Sequence, residues 1–385
     1  MTVKKLIGKV HLWLGFISGI GVFMIAITGC ILAFQQEIES LTKPYTYTAS
    51  KPGVNPLPPS TLKAIAVKEI KNKQPNGINY PGKDKSASVM FYGADPDYYY
   101  QVFMDPYTGK VIKVWSEEGD FFHFILHGHY YLWLPPKIGQ PIVASVTLIF
   151  VVMLISGLIL WWPKNKAAAR QRFSIKWDAK WRRLNYDLHN VLGFYILVIG
   201  LLIATTGLVW GFEWFSNGLY YATSGGKALP PYAPPLSDTT KQAQYSIPED
   251  QVWQQLLAKA PQGAGINIGF TTGKSESVAA SVNYRPGTYY KSDNYYFDRN
   301  TLAILPAEGP YTGEYAKASF ANKLRDMNYD IHVGAILGLP GKIIVFLASL
   351  VCASLPVTGI YIWWGRKSKK VKKSPATRAT SRAKI

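Results

Sequence analysis

Four stretches of the chain are apolar for long enough to cross a lipid bilayer, and they come in two pairs. Leu12 to Phe34, Ile142 to Trp162, Val191 to Phe212 and Ile343 to Trp364 contain no Lys, Arg, Asp or Glu. Each reaches about the 20 residues that a helix needs to span the hydrocarbon core. Between the members of each pair the pattern shortens. Ser60 to Lys73 has helical periodicity behind Ser60 as N-cap candidate, and Gly77-Ile78-Asn79-Tyr80, Ala87 to Tyr92 and Tyr98 to Trp115 follow as strands. The last of these turns at Asp105-Pro106-Tyr107-Thr108-Gly109-Lys110. The same order returns as Pro248 to Ala260, Ile266 to Phe270, Val278 to Tyr284 and Tyr295 to Leu305, with Asp298-Arg299-Asn300-Thr301 as a weaker copy of the turn. The expected fold is an α-helical membrane protein with four transmembrane helices in two tandem repeats, each repeat holding an extracytoplasmic α+β domain.

The repetition extends to single residues. His11-Leu12-Trp13-Leu14-Gly15-Phe16 closing on Thr28-Gly29 is matched, at one constant offset, by His189-Asn190-Val191-Leu192-Gly193-Phe194 closing on Thr206-Gly207. His127, Leu134-Pro135 and Ser156-Gly157 through Trp161-Trp162 are matched by His332, Leu339-Pro340 and Thr358-Gly359 through Trp363-Trp364. Thr28-Gly29 reads as a structural pair within a helix, and no span is visibly broken at its midplane. The predicted organisation is a first span in 1–36, an outer domain in 37–120, and a histidine segment with the second span in 121–163. A basic loop (164–186), a third span (187–216), a second outer domain (217–322), a histidine segment with the fourth span (323–365) and a disordered basic tail (366–385) complete it.

Charge fixes an orientation. The net charge is +19, and +18 of it lies in the N-terminus, the loop between the second and third spans, and the tail, where Asp178 and Asp187 are the only acidic residues. Such a bias places these three segments and both termini in the cytoplasm, and it argues for a lipid bilayer rather than nucleic acid as the partner. Cys30 and Cys352 both fall in spans, which leaves no disulfide framework and no CxxC metal site. Gly-rich phosphate loops, nucleophile elbows and dinucleotide fingerprints are also missing.

Ligating side chains at membrane depth cost free energy, so histidines there are functional candidates. On this topology His11 and His189 lie at the cytoplasmic face, and His127 and His332 lie just beyond the outer one. Two imidazoles saturate a haem iron, whereas zinc asks for four ligands or three and water, so haem is the better match to paired histidines. Polar anchoring of helix ends is the competing reading. His123 and His129 fall outside the repeat and are alternative ligands or substrate contacts, as are Tyr130 and Trp133, which could equally be interfacial belt aromatics. Arg182, Arg183 and Arg325 are candidate partners for haem propionates, or part of the charged surface.

The combination of His11 with Gly15 and Thr28-Gly29, the Asp105 to Lys110 turn, and His332 with Leu339-Pro340-Gly341 and Thr358-Gly359 through Trp363-Trp364 resembles the PepSY-associated transmembrane family, the iron-regulated membrane proteins. The resemblance covers the chain up to about Lys367. It implies PepSY-like outer domains and, by similarity to the di-haem siderophore reductases of the bacterial inner membrane, two haems b held by histidines. Electrons would pass from a cytoplasmic or quinol donor to a ferric siderophore, of hydroxamate type, in the periplasm. The sequence departs from the family pattern at Gly128-His129 and at the second turn. PepSY-like domains also suit a non-redox membrane protein that binds peptide or inhibits a protease.

Overall fold

The computed structural model describes all residues except 52, 95, 96, 164, 167, 168, 170, 171, 286 and 372–385, with backbone alone for 366–371. In chain order the main elements are α1 (Val3–Ala33), α2 (Pro59–Glu69), β1 (Gly77–Tyr80), β2 (Ala87–Ala94), β3 (Asp97–Met104), β4 (Val111–Ser116), α3 (Phe121–Tyr131), α4 (Pro136–Trp161), α5 (Trp181–Asp187) and α6 (Leu197–Gly211). They continue with α7 (Pro248–Lys259), β5 (Gly265–Gly269), β6 (Val278–Asn283), β7 (Ser292–Phe297), β8 (Ile304–Leu305) and α8 (Leu339–Val371). The chain divides into a helix unit, made of Met1–Ala33, Leu126–Gly211 and the segment from Ile343 onward, and a sheet unit, made of Phe34–Ile125 and Phe212–Lys342.

Apolar length governs the helix unit. Among the described residues α1, α4 and Leu339–Gly365 of α8 are long and apolar enough to cross a membrane. The third apolar stretch is not one straight helix. α5 runs into a π-helical turn at Leu188–Leu192 and a short helical piece, Gly193–Tyr195, before α6 starts in a direction bent by 63°. The bent pair brings the number of candidate spans to four if it is counted as one. No proline is present at the bend, which falls at Ile196, one short helical piece beyond the wide turn. Gly200 gives the bend room, because a Cβ there would lie 3.3 Å from Ile196 Cδ1 and 3.4 Å from Leu154 Cδ1. At the other end of the chain α8 continues to Val371, past Lys367, where the sequence places the start of a disordered tail. The rest of that tail, and part of the basic loop, lie outside the described residues.

Alternation governs the sheet unit. Val89, Phe91, Val102 and Met104 are fully buried on one face, while Met90 and Tyr92 on the other are 37% and 52% exposed. The buried face packs against Leu62 and Ala66 of α2, and the equivalent face of β5 and β6 packs against Val252, Trp253 and Leu256 of α7. Burying a side chain such as Phe91 or Leu62 contributes about 1.5–3 kcal/mol. Each half supplies a helix and four strands in the expected order. The strands, however, form one eight-stranded sheet, β4-β3-β2-β1-β5-β6-β7-β8, rather than two. The halves meet at β1 and β5, antiparallel, with Gly77 opposite Gly269 and Ile78 opposite Ile268. Gly77 is required there, since a Cβ would lie 2.7 Å from the Ile268 carbonyl oxygen.

Ser60 is not the N-cap of α2, which starts at Pro59 behind Pro58. Its N–H and hydroxyl both donate to the Asp250 carboxylate of α7, at 2.8 and 2.6 Å, so a carboxylate from the second half caps the helix of the first. The two turns are built alike. Asp105 accepts from the Tyr107 and Thr108 N–H groups, and Asp298 accepts from those of Asn300 and Thr301. Where the first turn uses Gly109 at φ +73°, the second places Leu302 at φ +59°.

Candidate functional site

In the helix unit, segments of α1, α4, the bent third stretch and α8 line a cavity of about 430 Å³. His11 and His189 both face it. His11 comes from the first third of α1, and His189 sits within the π turn, a feature that recurs at functional sites. Each imidazole is held by a hydroxyl from another helix. His11 Nδ1 lies 2.8 Å from Ser156 Oγ of α4, and His189 Nδ1 lies 2.9 Å from Thr358 Oγ1 of α8. The glycine after each hydroxyl lies against the ring, at the distance where a methyl group would be in van der Waals contact. A Cβ on Gly157 would lie 3.5 Å from His11 Cε1, and one on Gly359 would lie 3.5 Å from His189 Cε1. Asn185 Nδ2 donates to the Thr358 carbonyl at 3.0 Å and ties α5 to α8 beside the second seat.

The cavity wall is otherwise apolar and rich in glycine, with Gly8, Gly15, Gly19 and Gly193 among its residues. A side chain at Gly15 would crowd its neighbour, since a Cβ there would lie 3.1 Å from Met153 Cε. Trp161, 5% exposed, also lines it and stacks on Phe194 at 3.8 Å with a 10° interplanar angle.

The histidine segment ahead of the second span departs from the sequence picture in one respect. His129 occupies a seat of the same kind as His11 and His189. Its Nδ1 lies 3.0 Å from Thr28 Oγ1 and 3.0 Å from the Ile25 carbonyl oxygen, and a Cβ on Gly29 would lie 3.3 Å from its Cε1. His127 instead meets the Tyr131 ring edge-on at 5.0 Å. His123 belongs to the sheet unit, where its Nδ1 is 2.7 Å from Glu117 Oε1. Tyr130 is 42% exposed with its ring 6.0 Å from that of His129. Trp133 folds back so far that a Cβ on Gly128 would land in its ring, and Leu132 and Trp133 both take positive φ, +54° and +58°, in this reversal between α3 and α4. His332 ends a short helix, Asn328–His332, of the sheet unit.

The arginines separate as well. Arg183 Nε lies 2.9 and 3.0 Å from the two carboxylate oxygens of Asp187, which is 2% exposed, so its charge is already matched. Arg182 Nε approaches within 4.0 Å of where a Gly365 Cβ would be. Arg325 keeps Nε and Nη1 buried without a hydrogen-bond partner, while its carbonyl accepts from the Tyr311 hydroxyl at 2.9 Å.

Ser156, Thr358 and Thr28 were missing from the sequence-based candidates, although a signal for them exists. Ser-Gly or Thr-Gly occurs in every apolar stretch, at Thr28, Ser156, Thr206 and Thr358, with Ser18-Gly19 as a further copy in the first. In three of these a hydroxyl and its following glycine seat a histidine of another helix. With Nδ1 engaged, His11 and His189 keep Nε2 as the remaining nitrogen. Two of these rings on one cavity can ligate a single metal-centred group. Among the described residues no three His, Cys, Asp or Glu side chains gather into a site for a bare metal ion.

A search of curated proteins returns no match to the chain. The family model of the PepSY-associated TM region matches residues 9–366, nearly the whole length and including every histidine seat described above, and the chain therefore belongs to that family.

Proposed function

We propose that this protein is a di-haem b electron-transfer protein of the bacterial inner membrane that reduces ferric siderophores. The observation that carries the proposal is the pair His11 and His189, from separate helices, on one glycine-lined apolar cavity, each with Nδ1 held and Nε2 remaining. The residues present fit haem on three counts. Two imidazoles suit an iron whose other four ligands are brought by the porphyrin. The cavity volume of about 430 Å³ falls in the range of cofactor sites. The glycines keep the wall open to a flat group. Bound haem supplies a one-electron Fe(III)/Fe(II) couple, while axial ligation, burial and exclusion of water belong to the chain.

His11 and His189 would hold one haem. The seat at Thr28-Gly29 supports His129, ahead of His127, as a ligand of the second. In the reaction, one electron from a cytoplasmic carrier or a quinol converts the Fe(III) of a siderophore to Fe(II). Hydroxamate oxygens hold Fe(II) far less tightly, so reduction favours release. In this reading the protein has four spans in two repeats, and the placement of +18 of the +19 net charge supports an orientation with both termini cytoplasmic.

The test is an absorbance spectrum of the full chain, produced with haem supplied and recorded oxidised and then reduced with dithionite. A Soret band with sharpened reduced α and β bands is expected. A colourless protein would overturn the proposal and return the chain to the peptide-binding or protease-inhibiting reading.

A further inference from the structure

We infer that Ser156, Thr358 and Thr28 are positioning residues that set the tautomer of three histidines, holding His11, His189 and His129 with the proton on Nδ1 and the lone pair on Nε2. A hydroxyl beside an imidazole nitrogen can donate or accept, so distance alone does not choose the tautomer. The helix backbone chooses it. The Thr358 hydroxyl proton is directed to the carbonyls of Ser354 and Leu355, at 2.9 and 3.1 Å, and the Ser156 proton to the Met153 carbonyl at 3.1 Å. The Thr28 proton goes to the Met24 and Ile25 carbonyls at 2.8 and 2.9 Å. A hydroxyl whose only proton is turned back along its own helix presents lone pairs to the neighbouring ring. Nδ1 must then carry the hydrogen and donate it.

A carbonyl reinforces the assignment at His129, where Ile25 O lies 3.0 Å from Nδ1. A carbonyl only accepts, so this contact is favourable only when that nitrogen is protonated. His11 has the hydroxyl alone, which makes Ser156 the residue on which its tautomer depends. The glycine that follows each hydroxyl is part of the device. A branched side chain at Gly157, Gly359 or Gly29 would push the imidazole off the oxygen that orients it.

The tautomer stands independently of any cofactor, while its consequence for metal ligation rests on the haem reading above. Partners of this kind typically change metal affinity by about 10- to 100-fold. The experiment uses the full chain in detergent, ¹⁵N-labelled at histidine and free of haem, with long-range ¹H–¹⁵N spectra reporting the protonated nitrogen of each ring. His11, His129 and His189 are assigned by their single substitutions to Gln. All three are expected as Nδ1–H. Ser156→Ala should convert His11 to mainly Nε2–H and leave His189 unchanged, and Ser156→Thr should restore it.

After haem is supplied, Ser156→Ala should bind it about tenfold more weakly, with Ser156→Thr close to wild type. Nε2–H at His11 in the wild type, or no change at His11 in Ser156→Ala, would overturn the inference. Nδ1–H rings in a protein that takes up no haem would sustain it and sink the haem reading instead, so the two failures are distinguishable.

Discussion

The helix unit and the sheet unit handle buried polarity in opposite ways. In the sheet unit the buried carboxylates are taken up by backbone N–H groups. Asp298, 2% exposed, accepts from Asp238, Asn300 and Thr301, and Asp330, 0% exposed, accepts from Tyr289 and Tyr290. Asp250 caps α2 in the same spirit. Glu37 Oε2 and Nε and Nη1 of Arg325 are among the exceptions in this unit. In the helix unit the backbone is largely occupied by its own ladder, so the Nδ1 atoms of His11, His129 and His189 are each met by a side-chain hydroxyl. The lesson is one of spare valence. The buried carboxylates of the sheet unit are consumed by the fold, whereas His11 and His189 in the helix unit are engaged at Nδ1 and turn to the cavity.

That contrast can be broken by substitution. The largest effect is expected from His11→Ala or His189→Ala, which should each lower the haem count from two to one per chain in a pyridine haemochrome assay. A full count in either variant would mean that the cavity is not a haem site. His129→Ala should likewise lose one haem and His127→Ala should lose none. The reverse result would show that the Thr28-Gly29 seat is only structural. Asp298→Ala removes the acceptor of three N–H groups and should cost about 2–4 kcal/mol in denaturant unfolding, with haem per folded chain unchanged. A fall in haem content of the folded fraction would contradict the division of roles.

The smallest effect concerns pH. Burial raises the Asp326 carboxyl to about 6, against 3.8 for a free aspartate, although it accepts from the Tyr311 N–H at 2.8 Å. A raised carboxyl favours the protonated folded state. Its contribution is therefore complete below pH 4 and is lost as pH rises through 6, an effect of about 2 kcal/mol. Thermal melts at pH 4 and pH 7.5 should show Asp326→Asn losing less stability between the two than the wild type. Equal losses would show that this carboxyl is not strained by burial.

Much of the fold is legible in the sequence because it rests on local signals. Uninterrupted apolar length marks α1, α4 and α8, alternation marks β2 and β6, and an Asp at the head of each turn marks where β3 and β7 end. The union of the sheets was not legible. Gly77-Ile78-Asn79-Tyr80 carries no sign of a partner in the other half, and pairing between distant strands is set by burial of a shared face. The π turn at Leu188–Leu192 and the bend at Ile196 escaped because neither a π turn nor a proline-free bend has a composition signature.

Of the candidate site, His11 and His189 emerged from repetition alone. His129 did not, because counting back from Leu134-Pro135 fixes a backbone position and says nothing of where an imidazole points. The matching Thr-Gly and Ser-Gly pairs carried that information, but they read equally well as helix packing until a ring was found against them.

The pairing of β1 with β5 also has a consequence for biogenesis. Strand β1 is made early, yet its outer edge stays uncovered until β5 emerges, after α4 and the bent third stretch have been synthesised. During that interval it is an open strand edge, the feature that most invites pairing with other chains. Assembly of this protein in the cell is thus expected to be limited by how quickly the second half follows the first, and a chain truncated before Gly265 should aggregate rather than accumulate as a stable half.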